Sequence, residues 1–134
     1  MTDRTMRHFE EELEHLKARL LEMGGLAEDR LGLAMRALVD RDLPRVGEVI
    51  AGDAAINALH IEIDDRCFKL LARYQPMAVD LRAIVAAVKI NTDLERVGDL
   101  AVNIAEAVRR YLVHAPVKAL IDIPRMAANA QGML

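Results

Sequence analysis

The chain is 134 residues long, 53% hydrophobic but only 3% aromatic, and its 18 Lys and Arg are outnumbered by 21 Asp and Glu, giving a formal net charge of −3. That length supports one hydrophobic core without covalent staples, and the single cysteine, Cys67, excludes an internal disulfide framework. There is no basic excess to compete for phosphate backbones, which argues against nucleic-acid binding, and no uncharged apolar run approaches the ~20 residues needed to cross a bilayer. Met1 is followed by polar Thr2-Asp3-Arg4 rather than an apolar leader, so the expected compartment is the cytoplasm.

The wealth of Leu, Ala, Val, Ile, Met, Glu and Arg predicts an all-α fold. The first helix is expected from about Asp3 to Val39, because Phe9, Leu13, Leu16, Leu20, Met23, Ala27, Leu31, Ala34 and Leu38 recur in steps of three and four, as one buried helix face requires. Glu10, Glu11 and Glu12 near its start and Arg36 near its end complement the helix dipole. Gly24-Gly25 interrupts it and is expected to allow close packing or a slight bend.

Pro44 cannot continue that helix and suits the first turn of a second, expected to run to about Ala72. Tyr74-Gln75-Pro76 is the next break, and a third helix is expected from Met77 to about Leu112. Connections this short force neighbours to run antiparallel, so the expected architecture is an up-down-up three-helix bundle of spectrin-repeat-like geometry over residues 1–113, with helices ~45–55 Å long. Residues 114–134 then form a linker carrying Pro116 and Pro124 and the start of a further helix, Arg125 to Leu134, too short to be stable alone.

Two polar features stand out against this apolar frame. On the third helix, Ile90, Leu94, Val97, Ala101, Ile104, Val108 and Leu112 are expected to form the core seam, with Glu95, Asp99, Asn103 and Glu106 on the opposite side. Glu95 and Asp99 are one turn apart, where like charges destabilise a helix by a few tenths of a kcal/mol (~0.2–0.5), and a bound cation would reverse that repulsion. Carboxylates suit magnesium, calcium, manganese or iron. The plain alternative is a solvated helix face with Arg96 and Arg109 as partners. Leu81, Ile84, Val85 and Val88 make the first half of this helix apolar nearly all round, so a second surface is expected to cover it.

On the second helix, Asp53, Asn57, His60 and Asp64 follow one line flanked by Val49, Ile50, Ile56, Ile61, Ile63 and Phe68. Buried without partners, such groups would cost roughly 1–3 kcal/mol each, so they need hydrogen bonds or an ion. Asp53, Asn57 and His60 are therefore candidate ligands beside Glu95 and Asp99, against the alternative of a satisfied core histidine and an Asp53–Arg ion pair. His8 and His15 read as solvated, and Cys67 as a small core residue. No P-loop, dinucleotide-binding glycines, HExxH, cysteine-rich zinc spacing or nucleophile-plus-base pattern is present, so no enzymatic activity is expected.

The run Gln75-Pro-Met-Ala-Val-Asp80-Leu-Arg82, followed by Lys89-Ile-Asn-Thr-Asp-Leu-Glu95-Arg-Val-Gly-Asp99, resembles the signature of the PhoU family. The likeness extends back through Gly52-Asp53-Ala-Ala-Ile-Asn57 and Ile63-Asp64-Asp-Arg-Cys67 to Phe9-Glu-Glu-Glu-Leu13. It implies two similar three-helix repeats, the second opening near Arg125, and an E/D-x-x-x-D metal motif that maps here onto Glu95 and Asp99. It further implies a non-enzymatic regulator of phosphate transport and phosphate-responsive signalling, in contact with a phosphate ABC transporter and a sensor histidine kinase, reaching the membrane only through them. The ion is left open among iron, zinc, manganese and magnesium, because His60 stands where the family pattern often has an acidic residue. Two other classes remain: a structural bundle that forms a homodimer, and a di-metal carboxylate enzyme. The enzyme is disfavoured because no Glu-x-x-His pair falls on a core face.

Overall fold

The computed structural model describes residues 3–115 and 120–134, so Met1, Thr2 and the linker proline Pro116 lie outside the described residues. Four helices follow one another: α1 (Asp3–Val39), α2 (Leu43–Tyr74), α3 (Val79–Tyr111) and α4 (Asp122–Met133). The first three pack antiparallel as the bundle that the sequence predicts.

Each break has a local cause. Asp42 caps α2 by accepting from the Arg45 backbone N–H at 3.4 Å, and Pro44 occupies its first turn, where a missing N–H costs nothing. Gln75 adopts a left-handed conformation (φ 45°) and donates its N–H to Leu71 O, closing the helix just before Pro76. Ala78, with φ 54°, then redirects the chain into α3. At the far end of the bundle Arg41 spans the α1–α2 turn and the end of α3. Its guanidinium donates to Leu112 O (3.2 Å) and His114 O (2.6 Å) and lies 5.4 Å from the centre of the Tyr111 ring.

The apolar stripe of α1 is buried as its spacing predicts, apart from half-buried Leu20. It packs into two clusters, one around Leu16, Met23, Ile56, Ile63 and Ile84, the other around Ala34, Val46, Val49 and Ala101. At the α1–α2 boundary Arg19 forks onto Glu62 (Nε–Oε2 2.6 Å, Nη2–Oε1 2.8 Å) and Arg66 adds a bond to Oε2 at 3.0 Å. These bonds, first that from Arg19, hold the Glu62 carboxyl down to about 2. Gly24 and Gly25 have no neighbour within 4 Å of the position a Cβ would take, so they neither admit a close approach nor break α1.

The buried face of α3 keeps Leu94, Ala101 and Val108 of the expected seam, with Val97, Ile104 and Leu112 half-buried, but it is turned partly away from the expectation. Its buried residues are Ile84, Ala87, Asn91, Leu94, Gly98, Ala101, Ala105 and Val108, while Ile90 is 47% exposed. Gly98 lets α3 approach α2 closely: the Ile56 methyl groups come within 3.1 and 3.2 Å of where a Cβ would stand. Leu81 and Val85, expected to be covered, are exposed, as are Ile61 and Phe68 of α2. Helix α4 lies on α1, with Gln131 donating to Glu28 O at 3.3 Å and Ala127 packed against the second cluster, but it has no fully buried residue. Among the described residues, no helix is long and apolar enough to cross a membrane.

Candidate metal-binding seam between the second and third helices

The corrected rotation of α3 brings the two polar features together. Glu95 is half-buried and lies along the α2 boundary rather than opposite the core. As α2 advances from Asp53 to His60, its α3 neighbour retreats from Gly98 to Asn91, so the stripe of one helix runs antiparallel beside the motif of the other. Asp53 Oδ1 rests 3.4 Å from the position of a Gly98 Cβ, next to Asp99 in the chain. The exposed Asn57 donates to Asp53 Oδ2 at 3.3 Å, leaving Oδ1 buried and without a partner.

Electrostatics ties the same residues to Glu95. Burial is the largest influence holding its carboxyl above the usual range; repulsion by Asp99 and a hydrogen bond with it add to the effect, Asp53 adds a little more, and His60 opposes them. Asp99 itself is exposed. Asp99 on α3 and Asp53 and His60 on α2 thus all act on Glu95, and Asn57 borders the group through Asp53.

Asn91 is the residue that sequence reasoning overlooked. It is fully buried, and its Nδ2 donates to His60 O and to Asp64 Oδ1, both at 3.0 Å. Its signal was an amide one turn before Glu95, in line on the helix face with the apolar Ile84, Ala87 and Leu94. Among the described residues, the buried side-chain polar atoms without a hydrogen-bond partner are Asp53 Oδ1, His60 Nδ1 and Asn91 Oδ1, and all three belong to this seam. Buried polar atoms are usually hydrogen-bonded, so these three are the polar groups of the seam that the protein itself leaves unpaired. The donor set of carboxylates and an imidazole fits a divalent cation. As placed, no three His, Cys, Asp or Glu side chains among the described residues stand close enough to enclose one ion. Cys67 takes no part: it is buried in the core, and burial pushes its thiol up to about 11.

An antiparallel helical bundle with an acidic, histidine-bearing seam is the class of protein these features define. The PhoU domain profile matches residues 20–108, and the chain belongs to that family. It is 43% identical over 135 residues, covering 100% of this chain, to a phosphate-specific transport system accessory protein PhoU homolog of Caulobacter vibrioides (strain NA1000 / CB15N). It is 37% identical over 92% of its length to the homolog of Aquifex aeolicus. The crystal structure of PhoU from Pseudomonas aeruginosa superposes with a TM-score of 0.89 at 35% identity, covering 93% of this chain and 60% of that one. The chain spans only 59% and 56% of the Caulobacter and Aquifex relatives.

Proposed function

We propose that this chain is part of a metal-binding, non-enzymatic regulator of phosphate transport and phosphate-responsive signalling. The observation that carries the reading is its kinship, along the whole chain, with proteins named as accessories of the phosphate-specific transport system. On this reading the exposed helix faces contact a phosphate ABC transporter and a sensor histidine kinase in the cytoplasm. Glu95 and Asp99 hold a divalent or transition metal ion, with Asp53, His60 and Asn57 completing the seam. The ion supplies positive charge that cancels the Glu95–Asp99 repulsion and crosslinks α2 to α3.

The test is direct binding of the purified chain to the cytoplasmic ATPase subunit of a phosphate importer and to the cytoplasmic part of a phosphate-sensing kinase. Saturable binding to at least one is expected, and failure to bind either overturns the regulatory reading. Exposed Leu81 and Val85 favour a second feature, self-association into a homodimer, which sedimentation at micromolar concentration would reveal as a doubled mass.

A further inference from the structure

Where the α2–α3 turn meets the start of α1, a cavity of about 370 Å³ opens to solvent. Its floor is aromatic: the rings of Phe9 and Tyr74 are nearly buried, with centres 5.1 Å apart. Met6 and Met77 line it as well and are 48% and 81% exposed, so an adaptable apolar rim surrounds that floor. The turn that carries Met77 is bracketed by two non-glycine residues of left-handed φ, Gln75 and Ala78. Ala78, at φ 54° and ψ −120°, lies where L side chains are strained, a kind of backbone that clusters at binding sites.

The charged residues that line the cavity are Glu10 and Asp80. Both are exposed, and neither side chain has an ion-pair or hydrogen-bond partner among the described residues. Neighbouring cations do not answer them: Arg73 is drawn to Glu12 at 3.2 Å, and Arg7 and Arg82 are exposed and line no part of the cavity. An apolar lining with two unanswered carboxylates is complementary to an apolar side chain that stands beside a Lys or Arg. Other occupants fit worse. The same end of a second copy carries the same carboxylates, so self-pairing here sets like charges together. Anionic phosphate groups, on lipid or nucleic acid, meet the same repulsion.

We propose that this cavity is the docking site for a cationic amphipathic segment of a partner protein. The segment inserts an apolar side chain between Met6 and Met77 and sets a Lys or Arg against Glu10 and Asp80. Once the inserted side chain excludes water, each charge-assisted hydrogen bond to these carboxylates is stronger than one made in open solvent. The site lies about 16 Å along α3 from Asn91, at 1.5 Å per residue. It depends neither on the metal seam nor on which protein carries the segment.

The test is carbon-13 NMR of the methionine methyl groups in the intact chain, with the Met6 and Met77 signals assigned by Met6→Leu and Met77→Leu. The probes are a short amphipathic peptide of Leu and Lys and its counterpart with Glu in place of Lys. The Lys peptide is expected to move the Met6 and Met77 signals saturably while Met126 and Met133, exposed on α4, stay in place. The Glu peptide moves none of them. Glu10→Gln/Asp80→Asn weakens binding of the Lys peptide about 10-fold or more. A Lys peptide that leaves Met6 and Met77 unmoved overturns the docking site. Equal shifts from both peptides, or native affinity in the double variant, overturn the charge complementarity on which it rests. Shifts of Met6 and Met77 that follow protein concentration without any peptide give the cavity to a second copy and overturn the proposal.

Discussion

Asn91 of α3 donates its side-chain amide to the carboxylate of Asp64 on α2 at 3.0 Å, a polar crosslink beside the apolar core. The same nitrogen also reaches His60 O, so one side chain satisfies two acceptors of the neighbouring helix. Replacing Asn91 by Ala strands both and leaves a cavity. A loss of about 2 kcal/mol is expected in urea unfolding, and an unchanged unfolding midpoint would show that the crosslink does not stabilise the bundle.

Gly98 sets how closely α2 and α3 approach. A Gly98→Val side chain would collide with Ile56 and crowd Asp53, and the helix gains little propensity in return. The variant should lose roughly 2 kcal/mol or more through overpacking, measured by the same denaturation. Full native stability would mean that the two helices separate at no cost.

Glu95 gives the seam a defined pH signature in the absence of metal. Its folded-state pKa is raised, so its stabilising contribution is complete below the unfolded value of about 4.3 and is lost as pH rises through the raised folded value. Glu95→Gln should therefore stabilise the chelator-treated protein at pH 7 by a few tenths of a kcal/mol (~0.2–0.5) and have a smaller effect near pH 4. Destabilisation at pH 7 would contradict the electrostatics of the seam.

Glu62 has the opposite sign. Arg19 and Arg66 lower its folded-state pKa to about 2, so its contribution is present above the unfolded value and is lost as pH falls toward 2. Half-exposed ion pairs are screened, so the effect should be modest. Glu62→Gln lowers the thermal midpoint at pH 7 and flattens its dependence on pH between 4.5 and 2, which calorimetry across that range would record.

The helices were legible because their signals are strong and local: the three-and-four spacing on α1 from Phe9 to Leu38, and the breaks at Pro44 and Pro76. That Glu95 and Asp99 stand one turn apart on the same helix was legible too. The rotation of α3 was not. Hydropathy points to Ile90 as core, yet the buried face includes Asn91, Gly98, Ala101 and Ala105, small or polar residues that contribute little apolar area. That misplaced rotation put Glu95 on the wrong side and hid Asn91. Which residues face one another across two helices is a property of their packing, and a single strand of sequence carries it only where a bulky residue dictates it.

The central claim, that the α2–α3 seam is a metal site anchored by Glu95 and Asp99, is tested most directly by measuring bound metal in the purified native chain and in the Glu95→Ala/Asp99→Ala double variant after exposure to zinc, iron and manganese. The account predicts stoichiometric metal on the native chain and its loss from the variant, with helical content retained. Equal metal on both proteins, or none on either, would contradict it.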